Sequence, residues 1–272
     1  MQRITFIGGG NMARSLIGGL VGSGSDAGAI HVAEPNASAR ENMEREFGVV
    51  THADGNDAVR DADIVVLAVK PQVLPGVCQA LGPALAQSQP LVISIAAGIR
   101  TDQIERWLGG KAAIVRVMPN TPSLIGAGAN GLYANARVDD EQRRQAQAIL
   151  DASGICAWVD DEGLMDTVTG ISGSAPAYFF LMVEALEDAA AAHGLDRESA
   201  RRLAAQTCLG AGRMMMESGE APADLRRRVT SPNGTTQAAL DSFDRDDLRG
   251  IVAHAVDAAR KRGGELAAAN DD

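Results

Sequence analysis

Aromatic side chains are scarce in this 272-residue chain, which has two Trp, two Tyr and five Phe. Its core must rely instead on aliphatic side chains. Abundant alanine and 30 glycines permit close approach of helices to each other and to sheets. Cysteine is also rare. Cys78, Cys156 and Cys208 lie far apart, are odd in number and form no CxxC pair. That argues against a disulfide framework and against a zinc site. The four histidines, His31, His52, His193 and His254, form no HxH or HxxxH cluster, so no metal site is expected. Lysine stands only at Lys70, Lys111 and Lys261, and the formal net charge is -10. Such a balance disfavours nucleic acid or an anionic membrane as main partner. Any acidic substrate must then be held by local donors. Apolar runs are too short, or too interrupted by glycine and charge, to span a bilayer. The N-terminus runs straight into a strand pattern with no signal peptide. The expectation is a reduced, cytoplasmic protein.

What is present is an alternation of short apolar strands with helical segments, which implies βαβ units in a doubly wound sheet. Strands are predicted at Arg3–Ile7, Ile30–Ala33, Val49–Thr51, Ile64–Val69, Leu91–Ala96, Ala113–Val117 and Cys156–Val159. Ile64–Val69 is continuously apolar, as a strand buried on both faces of a parallel sheet should be. Helices are predicted at Asn11–Val21, at Ala37–Phe47 closed by Gly48, near Ala58, and at Asp139–Ser153. Beyond about Leu164 no further strand is expected. Ala175–His193, Arg197–Glu217, Ala221–Val229, Thr235–Ser242 and Asp246–Ala268 read as helices. The fold class is therefore an α/β Rossmann-type domain over residues 1–162, followed by an all-helical domain over 163–272.

Gly8-x-Gly10-x-x-Ala13 follows the first strand and opens a helix. In that context it reads as a dinucleotide cradle. Gly8 makes the tight turn, Gly10 lets the backbone approach a pyrophosphate, and Ala13 packs helix on strand. Asn11 and Met12 carry the helix N-terminal amides. Glu34 ends the second strand, where an acid meets a ribose 2′-hydroxyl and favours NAD. It reads equally well as a solvated residue. Asn36, Ser38 and Arg40 follow closely and suit a 2′-phosphate, so NADP(H) and NAD(H) both stay open. Ala68-Val69-Lys70-Pro71 ends a later strand at the carboxyl edge, where Pro71 holds Lys70 extended. Asn56, Ala97 and Asn120 complete the expected cofactor contacts along that side.

Val229-Thr230-Ser231-Pro232-Asn233-Gly234-Thr235-Thr236 precedes a helical pattern. Read alone it is a capped helix start after a proline turn. Beside a dinucleotide cradle it reads as a helix N-terminus built for a small carboxylate. Ser172 and Ser174 open the long helix from Ala175, either as caps or as groups facing a nicotinamide.

IGGGNMA (7–13), AVKPQ (68–72), VISIAAGI (92–99), VRVMPNTP (115–122), GISGSAPAY (170–178) and SPNGTT (231–236) resemble the pyrroline-5-carboxylate reductase family. They occur in that family's order over nearly the whole chain. The resemblance implies NAD(P)H-dependent reduction of a cyclic imino acid to L-proline, the last step of proline biosynthesis. It also implies a homodimer, or an assembly of dimers, built through interleaved helical domains. Glu162 matches an acidic residue that lies near the substrate in the family.

Four positions depart from the family pattern. Asn233 replaces a glycine, and asparagine is the non-glycine residue best suited to a left-handed backbone. Arg227 and Arg228 stand where an acidic and an uncharged side chain are usual, which adds positive charge to the pocket rim. Glu34 is not typical of the family's cofactor loop.

For a ring bearing a carboxylate and a C=N bond, the amides of Gly234, Thr235 and Thr236 are the expected carboxylate donors. The Thr236 hydroxyl is the expected partner of the imine nitrogen. The expected substrate site is thus Glu162, Ser174, Asn233, Gly234, Thr235 and Thr236, with Thr236 catalytic. Two other readings remain. One is a β-hydroxyacid-dehydrogenase-like oxidoreductase, for which Lys261 is the only lysine in the helical half. The other is a non-catalytic dinucleotide sensor.

Overall fold

The structure is a computed structural model that describes residues 2–270. The first six strands are β1 (Ile4–Ile7), β2 (Ile30–Ala33), β3 (Val50–His52), β4 (Ile64–Leu67), β5 (Leu91–Ser94) and β6 (Ile114–Met118). They pair in parallel in the order β3-β2-β1-β4-β5-β6. Every residue of β2, β4 and β5 is buried, including His31 and Ser94, and β4 is apolar throughout.

Helices cover both faces of the sheet. On one face, Ala13, Leu16, Ile17 and Leu20 of α1 (Asn11–Gly22) pack with Met43 of α2 (Ala37–Phe47) and Ile149 of α6 (Asp140–Asp151). The other face buries Val59 of α3 (Gly55–Val59), Leu74 and Leu81 of α4 (Leu74–Ser88) and Ile104 of α5 (Thr101–Trp107). Adjacent strand residues divide between these cores: Ile64 and Val66 face the first, Val65 and Leu67 the second. Gly48 closes α2 in the left-handed conformation at φ 72°.

The sheet holds one strand that the sequence pattern does not predict. β7 (Gly128–Ala134) runs antiparallel to β6, with Val115 opposite Ala134 and Met118 opposite Gly131. β8 (Gly154–Trp158) returns parallel to β7 and ends the sheet.

After β8 no strand occurs among the described residues. α7 (Met165–Val168) leads into a π-helical turn at Thr169–Gly173. Five long or medium helices follow: α8 (Ala175–Ala192), α9 (Arg197–Glu217), α10 (Pro222–Arg228), α11 (Thr235–Arg245) and α12 (Leu248–Ala268). The chain forms two compact units. One contains the sheet through Ser174 together with the end of α12 from Ala258, and the other runs from Ala175 to Asp257.

Within the helical unit, Gly194 ends α8 with φ 94°, and Asp196 caps α9 by accepting from the Ser199 amide at 2.9 Å. Glu187 of α8 is nearly buried and accepts from Arg201 of α9 through both carboxylate oxygens at 2.9 Å. Large apolar side chains nevertheless remain exposed, including Phe180 at 68%, Leu181 at 65% and Met216 at 66%.

Candidate active site

The glycine turn fits a dinucleotide. Gly8 has φ 101°, and a Cβ there would lie 2.8 Å from the Ala68 carbonyl, so only glycine is accommodated. The turn is pinned by its neighbours, since the Gly8 amide donates to Ala33 O at 2.9 Å and the Ala68 amide to Ile7 O at 2.9 Å. Gly10 is the N-cap of α1 and has no side chain to cap it. The first helical bond is Arg14 N–H to Gly10 O. The amides of Asn11, Met12 and Ala13 therefore have no acceptor within the helix. A Cβ on Gly10 would meet nothing within 4 Å. Bare helix amides thus face open space, as pyrophosphate binding needs. A cavity of about 580 Å³ extends from here, lined by Gly8, Gly9, Gly10, Glu34, Pro35, Asn56, Ala68, Val69 and Lys70, with an apolar wall of Val73, Val77 and Leu81.

At one end of this cavity the Glu34 carboxylate accepts from the Gly9 amide and from the Asn36 amide, each at 3.0 Å. Asn36 is the N-cap of α2, and its Oδ1 accepts from the Ala39 amide at 3.1 Å. Asn56 is held by Asp54, whose Oδ1 accepts from its backbone and side-chain nitrogens. At the other end, Lys70 is extended, with Pro71 opening a 3-10 turn behind it.

Ala97 belongs to the turn after β5, beside the buried Ala96. Asn120 is buried. Its Nδ2 donates to Ser172 O at 3.1 Å and its Oδ1 accepts from the Ala129 amide at 3.0 Å. The side chain thus ties the π turn to β7, a structural task that the sequence reading omitted. Nor do the serines of that turn cap α8. Ser172 Oγ donates to Val168 O at 3.0 Å, and Ser174 keeps helical angles, φ -89° and ψ -28°, so the helix is entered without a break.

Glu162 is engaged by protein groups. Its Oε1 accepts from the Thr101 amide at 2.8 Å and its Oε2 from the Thr101 hydroxyl at 2.7 Å. Arg116 of β6 donates to the same carboxylate at 3.3 Å and also faces Asp166 at 3.6 Å. Arg116 is only 4% exposed. Sequence reasoning passed over Arg116, Thr101 and Asp166. The available signal was an arginine inside an apolar strand, which needs an acidic partner wherever it is buried. Tyr133 lies opposite Arg116 on β7, and burial, with the carboxylates of Glu162 and Asp161, pushes its phenol above the ordinary value.

In the helical unit the SPNGTT segment forms the expected turn. Asn233 takes the left-handed conformation at φ 59°. Gly234 is the extended N-cap of α11, and a Cβ there would lie 2.4 Å from Ser231 Oγ. One expectation needs correction. The Gly234 amide donates to Ser231 O at 3.0 Å, because the turn closes on it. The first α11 bond is Ala238 N–H to Gly234 O. The amides without a helical acceptor are therefore those of Thr235, Thr236 and Gln237. The arginine-rich rim is also less positive than the sequence suggests. Arg227 pairs with Asp224, and Arg228 pairs with Glu220 at 2.7 Å.

Comparison with known proteins agrees with both halves. Residues 162–266 match the family described as pyrroline-5-carboxylate reductase dimerisation. Residues 3–98 match NADP oxidoreductase coenzyme F420-dependent. A pyrroline-5-carboxylate reductase of Pseudomonas aeruginosa is 52% identical over 265 residues, 97% of each chain. The solved pyrroline-5-carboxylate reductase of Coxiella burnetii superposes with a TM-score of 0.95 at 44% identity, covering 97% of this chain and 98% of that one. The Plasmodium falciparum enzyme, solved with NADP bound, gives 0.84 at 30% identity and covers 98% of each. With a glycine cradle on the sheet, bare amides at the start of α11 and full-length relatives of this identity, the chain belongs to the pyrroline-5-carboxylate reductase family.

Proposed function

We propose that the chain reduces 1-pyrroline-5-carboxylate to L-proline by hydride transfer from NAD(P)H, the last step of proline biosynthesis. The observation that carries this reading is the start of α11. There a left-handed Asn233 and an extended Gly234 present the Thr235, Thr236 and Gln237 amides without bulk. A small carboxylate suits such a terminus, since the amides and the helix dipole both favour an anion.

The ring nitrogen is bound protonated, as the iminium, with its N–H donating to the Thr236 hydroxyl, so that hydride addition to the adjacent carbon gives the secondary amine, and the backbone amides hold the carboxylate. When bound, the reduced nicotinamide supplies the hydride. The helix amides of Asn11, Met12 and Ala13 hold its pyrophosphate, and Lys70 and Ala97 border its carboxyl-edge side. The reaction asks the protein mainly to orient an electron-poor carbon and to keep the imine polarised. Ser174 stands on the substrate side. Glu162 braces Thr101 and Arg116 and takes no part in binding the imine.

Residues 1–162 supply the cofactor half, and residues 163–272 supply the substrate and dimer contacts. The exposed Phe180, Leu181 and Met216 are covered in an interleaved homodimer. No helix among the described residues is long and apolar enough to cross a membrane. We place the protein in the cytoplasm, with a small-molecule substrate and no nucleic-acid partner. The test is oxidation of NADH and NADPH by the purified chain with pyrroline-5-carboxylate, set against a panel of hydroxy acids and ketones. Turnover confined to the cyclic imine is expected, and turnover confined to the other panel members would overturn the reading.

A further inference from the structure

We propose that the ribose site of this chain reads a free 2′-hydroxyl and rejects a 2′-phosphate, so that NADH is its preferred reductant. The inference rests on reading the glycine turn as a dinucleotide cradle, and it adds the choice between the two nicotinamide cofactors.

A 2′-phosphate needs donors at the end of β2, and a 2′-hydroxyl needs an acceptor. The acceptor is in place. Glu34 is braced by two backbone amides, Gly9 and Asn36, each at 3.0 Å. Its side chain lies along the glycine turn, since a Cβ on Gly9 would meet Glu34 Oε2 at 3.4 Å and its Cγ at 3.5 Å. Two amides do not exhaust the lone pairs of a carboxylate, so acceptor capacity is left for a hydroxyl.

The two side chains best suited to a phosphate, Arg40 and Ser38, are bonded within the loop. Arg40 directs Nη1 onto Glu34 O at 2.7 Å and Pro35 O at 3.0 Å. Ser38 donates its hydroxyl to Asn36 Oδ1 at 2.8 Å. Asn36 in turn caps α2 through that same oxygen. Lys70 lies beyond the end of β4, on the opposite side of β1 from β2. A 2′-phosphate would therefore meet a fixed carboxylate beside an arginine and a serine that are bonded within the loop, and like charges a few ångströms apart repel.

The test is calorimetric binding of 5′-AMP and 2′,5′-ADP to the full chain, followed by NADH and NADPH without substrate. The wild type should bind 5′-AMP at least about tenfold more tightly than 2′,5′-ADP, with the same order for the intact cofactors. Glu34→Gln keeps the shape and removes the charge, and should narrow that ratio at least about fivefold. Arg40→Ala should leave the ratio within about twofold, because the guanidinium serves the loop backbone. Equal or tighter binding of 2′,5′-ADP by the wild type would overturn the proposal. So would a selective loss of 2′,5′-ADP binding in Arg40→Ala. A Glu34→Gln variant that weakens both nucleotides equally would reduce Glu34 to a brace of the glycine turn and refute the specificity. The wild-type and Arg40→Ala results decide the matter even if Glu34→Gln does not fold. Failure of catalysis with pyrroline-5-carboxylate would leave these binding ratios untouched, so the two readings fail separately.

Discussion

Arg116 and Glu162 form an ion pair at 3.3 Å in which the arginine side chain is 5% and the glutamate side chain 17% exposed. Through the same carboxylate Glu162 caps the start of α5 at Thr101, and through the same guanidinium Arg116 reaches Asp166. One buried cation thus fastens β6 to α7 and to the turn that precedes it. Asp166 also faces α12, where a Cβ on Gly263 would lie 3.2 Å from its Oδ1. Gln103 adds a second tie by donating to Ala267 O at 2.9 Å.

Glu162→Ala leaves a buried guanidinium with only the more distant Asp166. Loss of one partner from a buried pair costs about 3–5 kcal/mol. The expected result is a large fall in the urea midpoint, with the KM for the imine changing little in whatever fraction stays folded. A variant with a wild-type midpoint and a raised KM would return Glu162 to the substrate site.

Gly8 and Gly10 should respond differently to the same change. Gly10→Val places its side chain in open space in front of α1, so the sheet folds while cofactor affinity falls sharply. Gly8→Val combines a left-handed backbone with a clash against Ala68 and should fail to fold. Circular dichroism and cofactor titration separate the two. Unchanged cofactor affinity in a folded Gly10→Val would move the pyrophosphate elsewhere.

His31 and His52 join β2 to β3 through ring nitrogens 2.8 Å apart. The His31 pKa is lowered from 6.5, first by burial and then by the charges of Arg3 and His52, with a Gly28 backbone hydrogen bond opposing them. A histidine that is harder to protonate when folded has its stabilising contribution intact above the unfolded value. That contribution is lost as pH falls from 6.5 towards the lower folded pKa. Stability should therefore drop on the acid side of 6.5, and an NMR titration should place His31 below that value. A titration at or above 6.5 would contradict the assignment.

Phe180→Glu tests the helical interface. Phe180 is 68% exposed in the single chain, so a monomer would tolerate the change. In the proposed dimer it buries an unpaired charge, and light scattering should show the assembly falling apart. A variant with wild-type mass would place the interface on another face.

Much of this architecture is legible because its causes are local. β4 is an unbroken apolar run and β5 is apolar up to Ser94, α2 ends at a glycine, and α9 begins at a capping Asp196. The turn at Asn233 follows from the tolerance of asparagine for positive φ. β7 is not legible, because Gly128-Ala129-Asn130-Gly131 has none of the β-branched density of a strand. Tertiary bonds hold it, including Asn130 Nδ2 donating to Leu150 O and Ile155 O. The Glu162–Arg116 pair and the inward turn of Arg40 are invisible for a related reason, since no local pattern says which acceptor a long side chain will choose.

The most direct measurement is the kinetics of Thr236→Val with pyrroline-5-carboxylate beside the wild type. The change removes the hydroxyl and keeps the shape. A hydrogen bond to a charged group is worth roughly 1.5–3 kcal/mol, and each ~1.4 kcal/mol is tenfold in rate. The wild type should oxidise the reduced cofactor with this substrate, and the variant should lose about ten- to a hundredfold in kcat/KM with cofactor Kd and Tm unchanged. An unaltered kcat/KM in the variant would contradict the account and leave Thr236 as a residue of the first turn of α11 only.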